Sequence, residues 1–192
     1  MKWVRVLLLA LAGMGAAAGC TSEKSQPAKA QATKAEAASE KAKAEAPSPS
    51  IEESTRQSIS DALAAYERIR ALLAEDSMQG LAEAAERLAS ITSGLPKNLP
   101  ESVRPHVDAI AAAAGKLKGN ASTLPDARSS FGELSRGVVA LLSAEPSLAK
   151  GQHVFECGMA EGYKKWVQPS ETLGNPYMGT KMQNCGTASS WE

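Results

Sequence analysis

The segment 152–192 contains the side chains best suited to bind a metal ion. Cys157 and Met159 lie two residues apart, and Met178, Met182 and Cys185 follow at intervals of four and three residues. Thiolate and thioether sulfurs are soft ligands, which prefer Cu(I) and Ag(I) to hard cations. An extended segment would point Cys157 and Met159 to the same side, and two helical turns would align the three later sulfurs. The spacing therefore allows a Cu(I) or Ag(I) site of three or four sulfurs.

The same two cysteines have a second possible chemistry. The chain has three cysteines, so if Cys20 is modified, Cys157 and Cys185 are left as an even pair. In an oxidising compartment such a pair commonly forms a disulfide. A bond between Cys157 and Cys185 would close a loop of about 28 residues and stabilise the fold by about 3 kcal/mol. The sequence leaves open a metal site, a disulfide and free thiols.

Groupings typical of enzymes or nucleic-acid-binding proteins do not occur in the sequence. Its two histidines, His106 and His153, lie far apart, and there is no phosphate-binding glycine loop and no zinc-type CxxC or HExxH spacing. The 21 Lys and Arg residues balance 21 Asp and Glu residues, so no basic footprint for nucleic acid exists. We expect a binding protein and not an enzyme.

The first residues predict export and lipid attachment. Lys2 and Arg5 precede an apolar run that is too short to cross a bilayer, which is typical of a signal peptide over residues 1–19. The run ends Ala-Ala-Gly followed by Cys20, which resembles the bacterial lipobox. That resemblance implies acylation of Cys20. Thr21, in place of aspartate, implies an outer-membrane lipoprotein facing the periplasm.

Residues 20–50 are predicted to be a disordered tether. Beyond the cysteine they are nearly all Ala, Lys, Glu, Ser, Gln and Pro, and they offer no large apolar side chain to bury. Nothing then offsets the entropy of ordering such a segment. As a flexible coil it would have an end-to-end distance of about 30 Å.

Residues 51–150 predict a helical bundle, so we expect an all-α fold with a small irregular Cys/Met-rich element over residues 151–192, packed on the bundle. Short connections between four amphipathic helices favour an up-down arrangement. Gly94, Asn120 and Pro146 mark the ends of successive helices. The apolar positions at helical spacing are Ile59, Leu63, Tyr66, Ile69, Leu73, Leu81, Ala84, Leu88, Ile91, Val107, Ile110, Ala114, Leu117, Phe131, Leu134, Val138 and Leu141.

Three helix starts carry capping signals. Ser50 followed three residues later by Glu53 predicts a capping box at the first helix. Ser102 as the N-cap of the third helix would put Pro105 in the first turn, where its missing N–H costs nothing. Thr123 precedes Leu-Pro-Asp and predicts the start of the fourth helix.

The order of motifs in the tail resembles a bacterial periplasmic domain family of uncharacterised function. That family occurs alone on lipoproteins and fused to the membrane-fusion adaptors of copper and silver efflux pumps. It has a Cys-Pro-Met-Ala element, a tryptophan, an Asn-Pro-Tyr-x-Gly-x-x-Met element and a terminal Cys-Gly. The corresponding residues here are Cys157, Gly158 in place of the proline, Met159, Ala160, Trp166, Asn175, Pro176, Tyr177, Gly179, Met182, Cys185 and Gly186.

The resemblance extends from about Ile51 to Thr187, since the fourth helix also fits an arginine-phenylalanine-leucine-serine pattern. It implies a role in heavy-metal resistance with an efflux adaptor as partner. The leading hypothesis is therefore a periplasm-facing lipoprotein that binds Cu(I) or Ag(I) and is tethered to the membrane. The alternative is a protein interaction module without metal, stapled by a disulfide between Cys157 and Cys185. The expected ligands are Cys157, Met159, Met182 and Cys185, with Met178 as an extra ligand.

Overall fold

The computed structural model describes residues 51–191, which belong to one compact unit. The predicted signal peptide over residues 1–19, the acylation site at Cys20 and the tether over residues 20–50 lie outside the described residues.

In this part of the chain, no helix is both long enough and apolar enough to cross a membrane.

Four helices follow one another, and each packs mainly against the next, as the helical periodicity predicts. The first helix also contacts the fourth. Their buried positions are those of the apolar pattern, including Ile59, Leu88, Ile110 and Phe131. The bounds are α1 Glu53–Ala74, α2 Leu81–Ser93, α3 Arg104–Asn120 and α4 Leu124–Ala144.

The helix starts agree only in part with the capping signals. The α4 helix begins after Thr123, whose side chain accepts a hydrogen bond from the backbone N–H of Asp126, as predicted. The α3 helix is capped by Val103 and not by Ser102, although Pro105 does lie in its first turn. The reason is that the backbone N–H of Val103 already donates to the carbonyl of residue 100, at 2.9 Å, so Ser102 lies inside a turn and not at an extended cap.

The α1 helix starts later than the capping box predicts. Its N-cap is Glu52, in an extended conformation without a side-chain hydrogen bond, whereas the predicted cap Ser50 lies outside the described residues. The α2 helix ends with Gly94 at its C-cap, in agreement with the sequence.

The C-terminal element is a sheet, so the prediction of an all-α fold with an irregular tail is wrong. Three antiparallel strands, β1 His153–Glu156, β2 Lys165–Gln168 and β3 Thr187–Ala188, lie in the order β2-β1-β3. Phe155 pairs with Trp166 in β2 and with Ala188 in β3. The strands have only two to four residues, which is too short for the alternation that identifies a strand in a sequence. Their aromatic and β-branched residues were the remaining signal.

The sheet packs on the helices through a continuous set of aromatic rings. Tyr66 of α1 stacks on Phe131 of α4 with ring centroids 5.4 Å apart, and Phe131 meets the edge of Tyr177 at 5.6 Å. Trp166 of β2 contacts Tyr177 on one side and Phe155 of β1 on the other. One hydrophobic core therefore extends from the helices into the sheet.

Buried hydrogen bonds fasten β2 to the helices. The hydroxyls of Tyr66 and Ser135 share a hydrogen bond of 2.8 Å, and the backbone N–H of Val167 donates to the Tyr66 hydroxyl. Ser135 and Tyr177 both donate to the carbonyl of Lys165, at 2.9 and 2.7 Å. The polar groups on this edge of β2 are thus satisfied inside the protein, which fixes the sheet relative to the bundle.

Candidate functional site

The structure brings the two tail cysteines into contact. Cys157 directly follows β1 and Cys185 lies two residues before β3. The register of these antiparallel strands pairs Glu156 with Thr187, which sets Cys157 opposite Gly186 and leaves Cys185 one residue beyond that position, at the end of the ladder. The two Sγ atoms lie 3.1 Å apart and both cysteines are free thiols. This distance exceeds the S–S bond length of about 2.05 Å.

The backbone holds each cysteine in place. The N–H of Cys157 donates to the Lys164 carbonyl at 3.1 Å, and the Cys157 carbonyl accepts from the N–H of Ala160 at 3.0 Å. The N–H of Cys185 donates to the Met182 carbonyl at 3.0 Å. Cys157 is fully buried, with 0% of its surface exposed, whereas Cys185 is partly exposed. The pair therefore has one inner and one outer sulfur.

Asn175 organises the loop around the pair, a role that the sequence analysis missed. Its side chain is fully buried. Its Oδ1 accepts hydrogen bonds from the backbone N–H groups of Tyr177, at 2.8 Å, and Met178, at 3.1 Å. Its Nδ2 donates to the Cys185 carbonyl at 2.6 Å. The signal in the sequence was Asn-Pro, since asparagine commonly bonds to the backbone two residues on in such turns.

The environment of the two thiols shifts their pKa values in opposite directions. Burial raises the pKa of the Cys157 thiol, but hydrogen bonds from Cys185, Asn175 and the backbone N–H groups of Met159 and Ala160 outweigh burial and leave the pKa below its usual value. The pKa of Cys185 is raised, chiefly because its thiol is hydrogen-bonded to Cys157 and secondarily because of burial.

The structure does not align the methionines with the cysteines as the periodicities suggest. Strand β1 ends at Glu156, and a turn from Cys157 to Ala160 leaves the Met159 side chain 62% exposed. A short 3₁₀ helix, Gly179–Met182, replaces the expected helical turns, and Met178 and Met182 are both partly buried.

Two of the predicted methionine ligands line the same groove. Met159 and Met178 lie with Tyr163 and Tyr177 along a groove of about 660 Å³ between α4 and the tail. The Arg136 guanidinium lies over the Tyr163 ring, 5.0 Å from its centroid, at one end of the groove. Of the predicted ligands, the two cysteines are therefore in contact with each other, and two methionines line this groove.

A charged network holds the loop that carries Asn175 and Met178 against the helices. The Arg128 side chain on α4 donates through Nε to the carbonyl of Pro176 at 2.9 Å and forms an ion pair with Asp76, just after α1. The Asp76 carboxylate accepts from the N–H and the hydroxyl of Thr180. The hydrogen bond from the Thr180 hydroxyl, aided by Arg128, lowers the pKa of Asp76 against the opposing effect of burial.

Gly179 fits this network because it has no side chain. Its φ of +60° lies in the left-handed region, and a Cβ there would collide with the Asp76 carboxylate and the Arg128 guanidinium. The glycine of the Asn-Pro-Tyr-x-Gly pattern is thus required by the backbone conformation and by the close approach of the ion pair.

Comparison with family models, with curated proteins and with solved structures found no match. Across residues 51–191, no group of three or more His, Cys, Asp or Glu side chains is placed to hold a metal ion. The candidate site therefore consists of the two cysteine sulfurs and any thioether that joins them.

Proposed function

We propose that this chain is a periplasm-facing lipoprotein whose C-terminal sheet binds a soft monovalent metal ion, Cu(I) or Ag(I), through Cys157 and Cys185. The contact of two free thiols from segments far apart in the chain carries this proposal. In this proposal the lipid on Cys20 anchors the protein to the outer membrane. Residues 20–50 let the domain reach an acceptor such as a heavy-metal efflux adaptor.

The ligand set supports a soft ion of low coordination number. A structural zinc site takes four ligands from Cys, His, Asp or Glu. Among the residues that the structure describes, the two thiols have no third ligand of these types grouped with them. Two thiolates with one thioether are ligands that suit Cu(I) and Ag(I).

The charge state of the pair supports metal binding as well. A thiol must lose its proton before it binds a metal, so a cysteine with a lowered pKa binds with a smaller proton cost. Cys157 has a pKa below its usual value because hydrogen bonds from Cys185, Asn175 and the turn outweigh its burial. We propose Cys157 as the inner ligand and Cys185 as the ligand that faces solvent.

The third ligand is proposed to be Met182, with Met178 and Met159 as the other candidates. The backbone carbonyl of Met182 accepts from the N–H of Cys185, so the two residues belong to the same turn. Met78 is a matched control, since it is also partly buried and lies in the connection between α1 and α2.

The test is a Cu(I) titration of a fragment of residues 44–192, which contains the whole compact unit described above, against a chromophoric chelator with both thiols reduced. We expect one equivalent to bind, with affinity reduced about tenfold or more in Cys157→Ser and in Cys185→Ser. Met182→Leu should weaken binding while Met78→Leu leaves it unchanged. Failure of the reduced wild-type protein to compete for Cu(I) would refute the proposal.

The second candidate function is an interaction module in which Cys157 and Cys185 form a disulfide and no metal is bound. The short Sγ to Sγ distance of 3.1 Å favours it, since two thiolates at about 2.3 Å from one ion in a planar three-ligand site lie about 4.0 Å apart. Quantitative thiol labelling of protein purified without reductant distinguishes the two candidates. Two reactive thiols refute the disulfide candidate, and two blocked thiols released by reductant support it when the reduced protein also fails to bind Cu(I).

A further inference from the structure

The two sulfurs of the cysteine pair differ in their access to solvent. Cys157 has no exposed surface, and its backbone is hydrogen-bonded to Lys164 and Ala160. Cys185 is partly exposed, in the segment between the 3₁₀ helix and β3. Thiol–disulfide exchange requires the attacking sulfur to reach the sulfur that it attacks. Only the Cys185 sulfur meets that requirement from outside the folded protein.

The two sulfurs are also held for intramolecular reaction. They lie 3.1 Å apart, so bond formation requires an approach of about 1 Å. Backbone hydrogen bonds hold the two cysteines close to each other. The backbone of Cys157 is hydrogen-bonded to Lys164 and Ala160, and that of Cys185 to Met182. A group attached to Cys185 would therefore remain beside Cys157.

We propose that Cys185 is the sulfur through which an external dithiol or disulfide exchanges with this pair, and that Cys157 is the resolving sulfur. In the oxidising direction, the Cys185 thiol loses its proton to the solvent, and the resulting thiolate attacks a disulfide carrier, forms a mixed disulfide and releases one carrier thiolate. The Cys157 thiolate then attacks the Cys185 sulfur and releases the second carrier thiolate. The pair loses two electrons and two protons, the carrier gains the two electrons, and the protons pass to the solvent and the carrier thiolates.

Reduction follows the same path in reverse. The thiolate of an external dithiol attacks Cys185, the electron pair of the internal S–S bond passes to Cys157, and the second thiol of the reductant releases Cys185. Oxidation of the pair would also switch off metal binding, and this switch rests on the proposed function, because only the reduced pair offers thiolates to Cu(I) or Ag(I). The assignment of Cys185 as the exchanging sulfur and Cys157 as the resolving sulfur rests on the geometry alone.

The test uses residues 44–192 and oxidised glutathione, without metal. Cys157→Ser, which keeps the outer sulfur, should form a stable mixed disulfide about tenfold or more faster than Cys185→Ser. The wild-type protein should pass to the internal disulfide with release of two glutathione thiols. Equal rates, or faster reaction of Cys185→Ser, would overturn the proposal, as would a wild-type reaction that stops at the mixed disulfide.

Two control measurements show whether a difference in rate arises because a variant is unfolded. In denaturant both variants should react at the same rate, and circular dichroism should match the wild type in buffer. In the reduced wild-type protein, substoichiometric iodoacetamide followed by peptide mapping should modify Cys185 before Cys157. Initial alkylation at Cys157 would contradict the proposed assignment whatever the variants do.

A Cu(I) titration of the oxidised and reduced wild-type protein separates this inference from the proposed function. Binding only in the reduced state supports both. Equal binding in both states overturns the switch and leaves the metal site to be explained by other ligands. Absence of binding in both states overturns the metal function and the switch, while exchange at Cys185 is judged by the glutathione rates.

Discussion

Replacement of Asn175 by alanine tests whether one buried amide organises the cysteine pair. The side chain accepts two backbone hydrogen bonds, at 2.8 and 3.1 Å, and donates one to Cys185 at 2.6 Å. A hydrogen bond contributes about 1 kcal/mol net, and buried groups left without a partner cost more. We therefore expect Asn175→Ala to lower the free energy of unfolding by about 3 kcal/mol.

The variant should change the thiol chemistry as well as stability. Because Asn175 donates to Cys157, its loss should raise the Cys157 pKa. Asn175→Asp keeps the acceptor oxygen for the two backbone N–H groups but replaces the donor with a negative charge. We expect it to raise the Cys157 pKa more than alanine does, because the negative charge would lie close to the sulfur.

Urea unfolding of the reduced protein, followed by circular dichroism, measures the first effect, and the pH dependence of thiol alkylation measures the second. Asn184→Ala is the matched control, because Asn184 is exposed and close to the pair in sequence. Its effect on the free energy of unfolding should stay within about 0.5 kcal/mol. If Asn175→Ala is no more destabilising than Asn184→Ala, the assigned role of Asn175 is wrong.

Four further substitutions test how the helices pack on one another and on the C-terminal element. Tyr66→Phe removes a buried hydroxyl with two hydrogen bonds and should cost about 2 kcal/mol by urea unfolding, and a cost under about 0.5 kcal/mol would contradict this. The pKa of Asp76 is lowered in the folded protein, mainly through the hydrogen bond from the Thr180 hydroxyl. Its contribution to the free energy of unfolding is therefore complete above its unfolded pKa of about 3.9, and it is lost as pH falls through the lower folded value. The stability advantage of wild type over Asp76→Asn should therefore be constant near pH 6 and shrink below about pH 4, and a pH-independent difference would refute it. Gly137→Ala should cost about 1–2 kcal/mol, because its Cβ would lie 2.9 Å from Cγ1 of Ile110, whereas Gly115→Ala, with nothing within 4 Å, should stabilise α3 by about 0.5–1 kcal/mol.

The helices could be predicted because each one carries its own pattern of burial. Apolar residues at helical spacing, such as Ile59 and Phe131, need only a neighbouring surface to pack against. The start of α4 was likewise predictable, since Thr123 bonds to a backbone N–H three residues away. The predicted N-cap of α3 was wrong, because a hydrogen-bonded turn that begins at residue 100 contains Ser102. Ser102 is therefore not at an extended cap position.

The sheet depends on partners that are distant in sequence. Strand β3 has two residues, Thr187 and Ala188, and becomes a strand only because β1 lies beside it. Two residues cannot display an alternating pattern, so no reading of the segment alone identifies them. The prediction that Cys157 and Met159 point to the same side assumed an extended segment. The chain makes a turn there instead, because β1 and β2 pair as a hairpin.

The sequence by itself determined which atoms are available: two soft thiols, nearby thioethers and an Asn-Pro turn. It left open whether Cys157 and Cys185 meet, because that depends on the antiparallel register of β1 with β3. The tertiary structure also decided which sulfur is buried and which is exposed. The physical reason is that residue types and local periodicity are properties of short segments, whereas proximity and solvent access arise only when distant segments pack together.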